Sequence, residues 1–458
     1  MNRSEGGLPE GVLVAWYGDD FTGAAAVMEV LTFAGVPSVL FLAPPTEAQL
    51  ARFPGLRGVG VASTARTHSP DRMSAELPGA FGALQALTPQ ILHYKTCSTL
   101  DSSPTIGSIG RAIEIGADFC GASVVPVLIA APQMRRYQCF GHLFAGTDEG
   151  VFRLDRHPVM ARHPVTPMGE SDVAAHLAQQ SDRIDAGCIT LEDLATADLC
   201  HVAPAANRIA ALTLDSVDAR TESLAGRLIW EGRMNSPFVA GSQGVEYALI
   251  RHWQECGLLQ VAGAAMGIGP AKATIVVSGS VSPVTAGQIG WAAENGFDAL
   301  EFDASVACGG AGVMEREVAR LLALARQSLS QGRDPLIHTA AGPDDPAVAQ
   351  FRIACQTTGT DPQVAGQRVG EALGRLLAQL LAEAGPARAI VSGGDTSGHA
   401  TRQLGIHALS ALAPTIPGAA IFRAHATGPM DGLQLALKGG QMGSRDYFGW
   451  VRNGGGPR

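Results

Sequence analysis

The stretch WYGDDFTGAAAVMEVL, residues 16–31, places two neighbouring carboxylates between an apolar run and a helix-like segment. The apolar run covers residues 12–17, and a helical pattern follows across 23–34 and stops at Gly35. This order predicts a buried strand followed by a helix. Asp19 and Asp20 then lie at the carboxyl end of the strand, where two like charges repel each other and are costly to desolvate.

The same alternation of strand and helix continues along the whole chain. Short apolar runs predict further strands at residues 38–43, 58–63, 91–96, 123–131, 209–215, 237–244, 274–280, 298–303, 335–341, 388–394, 420–426 and 434–440. Apolar runs separated by helical stretches, notably 312–330 and 364–384, are typical of parallel sheets covered on both faces. The sequence therefore predicts an α/β fold with mainly parallel sheets flanked by helices.

The length of the chain and one segment rich in glycine and alanine predict two domains. The chain has 458 residues, more than one average domain. Residues 256–273 carry little charge, and the strand pattern restarts after them. We therefore expect a first domain over residues 1–255, a linker or hinge over 256–273 and a second domain over 274–458.

Composition narrows the class of protein. A formal net charge of −9 argues against binding to nucleic acid. No apolar run approaches the about 18 residues that a membrane span needs, and the N-terminus lacks the apolar region of a signal peptide. The eight cysteines form no C-x-x-C pair and are expected to be reduced and mostly buried. These features predict a cytoplasmic protein without a membrane or nucleic-acid partner.

Polar residues follow several of the predicted strands of the first domain. In open α/β sheets ligands bind beyond the carboxyl ends of the strands. One of Asp19 and Asp20 is explained as a helix N-cap, which leaves the other for a ligand. Lys95 and Ser98 stand in a loop rich in hydroxyl groups, before a helix expected to begin near residue 104 or 105. That loop suits a polyhydroxylated anion; turn and cap chemistry explains its serines but not a lysine at the end of a strand.

Arg66 follows the third predicted strand. A lone arginine is commonly a solvated surface group, but this position makes Arg66 a candidate for clamping a carboxylate through two parallel hydrogen bonds.

Glycine-rich turns follow three predicted strands of the second domain. They are VVSGSVSP (276–283), VSGGDTSG (391–398) and LKGGQMGS (437–444), the last with Lys438 nearby. Main-chain N–H groups in such turns, together with a helix N-terminus, form a binding site for phosphate. Three such turns favour a nucleotide site, although neither a P-loop motif nor a complete G-x-G-x-x-G motif is present.

Taken together, the motifs resemble the four-carbon acid sugar kinases, which phosphorylate threonate, erythronate and 3-oxo-tetronate. The resemblance rests on segments in family order across nearly the whole chain: GDDFTGA (18–24), RTHS (66–69), YKTCSTL (94–100), GHLF (141–144), HPVTPMGESDV (163–173), GSQG (241–244), VVSGSVSPVTAGQI (276–289), VSGGDTSG (391–398) and LKGGQMGS (437–444). It implies a sugar-acid domain followed by a nucleotide domain, with the active site in the cleft between them. It also implies transfer of phosphate from ATP, with Mg²⁺, to a terminal hydroxyl of the acid.

The resemblance also implies the roles of particular residues. The sugar-acid contacts would be Asp19, Asp20, Arg66, Lys95 and Ser98, and the ATP contacts Ser280, Gly393, Gly394, Asp395, Thr396 and Gly440. Asp20 is preferred to Asp19 as the base, while Lys95 and Arg66 would hold the substrate carboxylate. The direct metal ligands are left open.

One loop departs from the family pattern K-x-D-S-T-L-R-G-N. Cys97 replaces the acid, and residues 101–108 replace the segment with arginine and asparagine. This variation favours a sub-branch acting on a branched acid such as 3-oxo-isoapionate. The alternatives are a nicotinamide-dependent hydroxy-acid dehydrogenase and a non-catalytic sensor of nucleotide or sugar acid. A homo-oligomer is left open.

Overall fold

A computed structural model describes residues 7–147, 149–163, 165–385 and 387–458 of the chain. The chain divides into two compact units, Met1–Gly263 and Ala264–Arg458. Each unit contains a mainly parallel sheet with helices packed against it. The predicted α/β class with two domains is confirmed, whereas the exact ends of the two domains and the hinge over residues 256–273 stay predictions.

The first unit contains an eight-stranded parallel sheet and a small antiparallel sheet. Its strands are β1 Val14–Gly18, β2 Ser38–Phe41, β3 Gly58–Ala62, β4 Ile91–Lys95, β5 Val124–Leu128, β6 Arg136–Cys139, β7 His142–Thr147, β8 Gly150–Arg153, β9 Ile184–Ile189, β10 Ile209–Leu214 and β11 Phe238–Gly241. The order in the large sheet is β2-β3-β1-β4-β11-β5-β10-β9, and the small sheet is β6-β7-β8. Because the large sheet is parallel, the carboxyl ends of its strands share one edge.

Two groups of helices cover this sheet. The helices of the first unit are α1 Phe21–Phe33, α2 Glu47–Leu50, α3 Pro70–Gln85, α4 Ile109–Cys120, α5 Val173–Ala178, α6 Ala219–Gly232 and α7 Gly244–Glu255. Helix α7 packs against α1 and α6, and α3 packs against α4. The inner strands between them are buried on both faces; all five residues of β1 are buried.

The second unit has five parallel strands continued by two antiparallel ones. Its elements are β12 Thr274–Ser278, α8 Pro283–Glu294, β13 Phe297–Glu301, α9 Ala311–Ser330, β14 Asp334–His338, α10 Pro346–Thr358, α11 Pro362–Ala384, β15 Arg388–Ser392, α12 Gly394–Gln403, β16 Ile406–Ala413, β17 Ile421–Ala426, β18 Gln434–Lys438 and α13 Tyr447–Arg452. The strand order is β13-β14-β12-β15-β18-β17-β16. The adjacent strands β12, β15 and β18 end at the same edge, which brings their three glycine-rich turns together.

The structure corrects three details of the sequence prediction. The small sheet β6-β7-β8 and the strands β9 and β16 were not predicted, because their short apolar runs are interrupted by polar residues. Helix α4 begins at Ile109 behind the N-cap Ser108, later than expected. The Ser103 hydroxyl accepts hydrogen bonds from the N–H groups of Thr105 and Ile106, which form a turn instead of the first helical residues.

The burial of the cysteines also differs from the expectation. All eight thiols are free, but only Cys355 is buried, five are partly exposed, and Cys200 and Cys256 are exposed. Within the described residues, no helix combines the length and apolarity needed to cross a membrane.

Candidate active site

The two aspartates that follow β1 are held by one arginine. The Arg66 Nε and Nη2 atoms donate to the two carboxylate oxygens of Asp19 at 3.2 and 2.8 Å, and Nη2 also donates to Asp20 Oδ1 at 2.8 Å. Arg66 stands in a single 3₁₀ turn, Ala65–Thr67, just after β3, and its N–H donates to the Asp19 carbonyl. The arginine at the end of the neighbouring strand therefore offsets the repulsion between two adjacent carboxylates.

The two aspartates differ in their surroundings. The Asp19 side chain is buried, and this burial raises the pKa of its carboxyl against the opposing charge of Arg66. Burial alone would lower the pKa of Arg66. The nearby carboxylates of Asp19 and Asp20 outweigh this effect and raise the pKa of Arg66 well above its ordinary value. The Asp20 side chain is 27% exposed, which leaves it accessible to a ligand. Asp19 therefore fixes the arginine, whereas Asp20 faces the site.

Asp20 also caps helix α1. Its Oδ1 accepts the Gly23 N–H at 2.9 Å, and within the described residues nothing bonds to its Oδ2. A Cβ added at Gly23 would lie 2.4 Å from Asp20 Oδ1 and 2.5 Å from Lys95 Nζ, so a larger residue there would displace one or both of these groups. One aspartate thus caps the helix and still has a free carboxylate oxygen, whereas the sequence alone suggested one aspartate for the cap and the other for a ligand.

Lys95 ends β4 beside this pair. Its side chain is 2% exposed, and Nζ donates to the Thr96 carbonyl at 2.6 Å. In the loop beyond, the Cys97 thiol lies 3.1 Å from the Thr99 hydroxyl, and Ser98 is half-buried. Asp19, Asp20, Arg66 and Lys95 therefore form one cluster, and Ser98 lies on the loop that follows it.

In the cluster the Arg66 guanidinium contacts the two aspartates, whereas the sequence predicted that it would hold the substrate carboxylate. Two parallel hydrogen bonds to a carboxylate use the edge formed by Nε and Nη2, and in Arg66 Asp19 already occupies that edge. In this structure Arg66 therefore orients the two aspartates, and its contact with the substrate carboxylate stays a prediction.

In the second unit the three glycine-rich turns meet. A Cβ added at Gly440 would lie 2.4 Å from Ser280 Oγ, and one at Gly279 would lie 2.2 Å from Thr396 Oγ1. Gly393 has φ +119°, a conformation that favours glycine, and a Cβ there would lie 3.4 Å from the Ser280 nitrogen. The glycines of the turns after β12, β15 and β18 thus lie next to hydroxyl or backbone groups of the neighbouring turns, with little room for a side chain.

Helix α12 begins inside this cluster. It starts at Gly394 directly after Gly393, so the N–H groups of its first turn lie at the carboxyl edge of the sheet. Thr396 is buried, and the side chain of Asp395 lies outside the described part of the structure. This arrangement of small residues and a helix N-terminus suits a phosphate group.

Two residues that were not predicted as part of the site lie under the turns. The Thr285 hydroxyl lies 3.0 Å from the Ser280 hydroxyl and 2.9 Å from the Gly440 carbonyl oxygen. Lys438 Nζ donates to Thr285 Oγ1 at 3.2 Å and to the Gly439 carbonyl at 3.1 Å. Burial lowers the pKa of Lys438 to about 8. The position of Lys438 at the end of a strand and before two glycines is the sequence feature that could have identified it.

Metal-binding residues were left open by the sequence. Among the residues whose side chains are described, no three histidine, cysteine, aspartate or glutamate side chains come together as a group able to hold a metal ion.

Comparison with known proteins assigns a function to each unit. A family model described as a sugar-binding N-terminal domain matches residues 14–249, and one described as a nucleotide-binding C-terminal domain matches residues 275–448. The cluster around Asp19 belongs to the first, and the three glycine-rich turns belong to the second.

Curated relatives match over nearly the full length. A 3-oxo-isoapionate kinase of Paraburkholderia graminis is 45% identical over 97% of this chain and 95% of its own length. A 3-oxo-tetronate kinase of Cupriavidus necator is 29% identical over 97% of each chain. A 3-oxo-tetronate kinase of Methylobacterium radiotolerans is 31% identical over 94% of this chain and 96% of its own.

Solved structures share the fold. A crystal structure of a Salmonella typhimurium protein, described as a tRNA synthase, has a TM-score of 0.76 and 27% identity over 96% of this chain and 98% of its own. A Haemophilus influenzae protein has a TM-score of 0.71 at 21% identity over 96% of this chain and 99% of its own, which shows the fold alone. The resemblance drawn from the motifs is confirmed: the chain belongs to the family of sugar-acid kinases that join a sugar-binding N-terminal domain to a nucleotide-binding C-terminal domain.

Proposed function

We propose that this protein transfers the γ-phosphate of ATP to a terminal hydroxyl of a small sugar acid, with Asp20 as the base. The observation that carries the assignment of the base is the Asp20 carboxylate. Its Oδ1 is fixed by Arg66 and by the N-terminus of α1, and within the described residues its Oδ2 has no partner. A carboxylate held in this way is oriented to accept the proton of an acceptor hydroxyl.

The transfer follows from that geometry. The hydroxyl proton moves to Asp20 as the hydroxyl oxygen bonds to the γ-phosphorus, and the bond from that phosphorus to the bridging oxygen of ADP breaks. Asp19 takes no proton in this scheme; it holds Arg66, which holds Asp20. Lys95 adds a buried positive charge next to Asp20. This charge would stabilise the negative charge that accumulates as the γ-phosphate approaches.

The phosphates of ATP belong to the second unit in this proposal. Their ligands would be N–H and hydroxyl groups of the three turns: Ser280, Gly393, Gly394, Thr396 and Gly440. Mg²⁺ commonly binds through substrate phosphates and water with one or two carboxylates, so in this proposal the phosphates of ATP would supply most of its ligands. When bound, Mg²⁺ would neutralise charge on the phosphates.

We place the substrate among branched oxo acids. The relative at 45% identity acts, by name, on 3-oxo-isoapionate, whereas relatives that act on 3-oxo-tetronate are 28–31% identical. The loop with Cys97 and Asp101 departs from the pattern of the family in the same region. A substrate of the 3-oxo-isoapionate type explains both observations.

Transfer also requires the sugar acid and the γ-phosphate to meet. The predicted cleft between the domains, the hinge over residues 256–273 and the cytoplasmic location remain parts of this proposal. A closed arrangement would exclude water and so prevent hydrolysis of ATP.

A substrate panel tests the proposal. Purified protein with ATP and Mg²⁺ is assayed for ADP release with 3-oxo-isoapionate, 3-oxo-tetronate, threonate and erythronate, and ³¹P NMR identifies the phosphorylated carbon. We expect the highest kcat/KM with 3-oxo-isoapionate and a terminal phosphate ester. Absence of turnover with every acid would contradict kinase activity and favour a sensor, while oxidation of an acid with NAD⁺ or NADP⁺ would favour the dehydrogenase.

A further inference from the structure

A second arginine lies at the sugar-binding edge with its carboxylate-binding side unused. Arg136 is the first residue of β6, and its Nη1 donates to the carbonyls of Met134, Arg135 and Gly146 at 3.1, 3.3 and 3.3 Å. Its Nε is buried without a hydrogen-bond partner, and within the described residues no partner bonds to Nη2 and no carboxylate pairs with the guanidinium. A buried donor without an acceptor is costly, so this edge points to a missing anion.

The fold places Arg136 at the same edge as the aspartate cluster. Ala131, three residues beyond the end of β5, pairs with Arg136 through two main-chain hydrogen bonds. Strand β5 is separated from β4, which ends at Lys95, by β11 alone. Two strand spacings are about 10 Å, a span suited to a small sugar acid that has its acceptor hydroxyl at Asp20.

The electrostatic surroundings agree with this position. The Cys97 thiol, two residues beyond β4, interacts electrostatically with the guanidinium groups of both Arg66 and Arg136. Burial lowers the pKa of Arg136; Cys97 opposes this effect, and the neighbouring Arg135 adds to it. Burial also lowers the pKa of His157, and the charge of Arg136 contributes to this. Both effects are those expected of a cation that lacks an acidic partner in the free protein.

Arg66 and Arg136 therefore have different roles. The Nε and Nη2 edge of Arg66 is filled by Asp19, whereas the same edge of Arg136 is open. We propose that Arg136 binds the carboxylate of the sugar acid through Nε and Nη2 and so selects acids over neutral sugars. This inference rests on the proposed function for the identity of the ligand, and it moves the carboxylate from Arg66 and Lys95 to Arg136.

The test compares R136M with the matched control R135M. Arg135 is the next residue, is exposed, and donates to the Thr147 carbonyl at 2.6 Å. Binding of 3-oxo-isoapionate and of its neutral primary amide is measured by calorimetry without ATP, and turnover of the acid is measured with ATP. Binding and turnover are separate readouts, so a wild-type protein that binds the acid without phosphorylating it contradicts the proposed function and leaves the test of Arg136 intact.

We expect R136M to weaken binding of the acid and to raise its KM about 10- to 100-fold, since a charged hydrogen-bonded pair is lost. Binding of the amide, kcat and the KM for ATP should change little, and R135M should behave as wild type. R136K retains the charge but not the fork, so it should recover part of the affinity.

A structural role for Arg136 would give a different pattern. The Nη1 contacts support the β6-β7 region, so R136M is expected to lower the melting temperature somewhat. If R136M weakens the acid and the amide equally, or keeps the wild-type preference for the acid, the assignment of the carboxylate to Arg136 is wrong.

Discussion

Replacing Lys438 by methionine should stabilise the free protein and weaken its binding of ATP. The Lys438 side chain is 1% exposed, and burial lowers its pKa from 10.5 to about 8. That difference corresponds to about 3 kcal/mol of unfavourable free energy for the charged form at neutral pH. Loss of its hydrogen bonds to Thr285 and Gly439 opposes this by about 1 kcal/mol each. A net stabilisation of about 1–2 kcal/mol remains, because methionine fills the same space without a charge.

The pH dependence of stability provides an independent test that the buried charge of Lys438 destabilises the protein. The folded protein releases the Lys438 proton near pH 8, whereas the unfolded chain keeps it up to pH 10.5. Between these values the unfolded state binds more protons, so the contribution of Lys438 to stability rises with pH and is fully unfavourable below pH 8. The advantage of K438M over wild type should therefore be largest at pH 7 and should shrink toward pH 10.

Denaturant unfolding of both proteins at pH 7 and pH 9.5 measures this difference, and calorimetric titration with ATP measures binding. The exposed Lys272 provides the control K272M, which should match wild type in both assays. We expect K438M to bind ATP at least about 10-fold more weakly, because the buried charge lies beside the turns proposed to bind its phosphates. A K438M protein that unfolds at lower denaturant than wild type at pH 7, or whose advantage does not depend on pH, would refute the reasoning.

The remaining predictions concern the proposed base, a turn and a buried pair of hydrogen-bonded side chains. Asp20→Asn should keep the cap of α1 and bind ATP normally but lower kcat about 100-fold or more, as measured by ADP release; turnover near that of wild type would exclude Asp20 as the base. Gly440→Ala should raise the KM for ATP about 10-fold or more, because its Cβ would lie 2.4 Å from the serine hydroxyl of the turn after β12. Gly287→Ala in α8, where a Cβ meets nothing within 4 Å, should leave that KM unchanged and so serves as its control. Glu246→Ala should destabilise the first unit by about 3 kcal/mol in urea unfolding, because Glu246 and His93 are fully buried and lie 2.7 Å apart; a change below about 1 kcal/mol would contradict this.

The fold could be predicted from the sequence where the pattern of apolar residues matches the burial of the strand. Strands such as β1 and β12 are buried along their whole length, so their apolar runs stand out. Strand β6 could not be read in this way, because Arg136 and Tyr137 interrupt its pattern and its pairing with β7 is set by contacts formed only in three dimensions.

The site was readable only in part. The sequence predicts that Asp19, Asp20, Arg66 and Lys95 gather, because each follows a strand and parallel strands end at one edge. It does not reveal that Arg66 bonds to both aspartates, since adjacent positions on different strands do not fix which donor meets which acceptor. The contact between Lys438 and Thr285, separated by 153 residues, is likewise a product of packing.

The burial of Lys95 and Lys438 has a practical consequence for labelling. The chain contains only three lysines, and the third, Lys272, is exposed in the segment before β12. Reagents that modify amines under native conditions should therefore react at Lys272, apart from any α-amino group, and spare the other two ammonium groups. A fluorophore or a surface tether can thus be attached at one known side chain without altering either group of proposed ligand-binding residues.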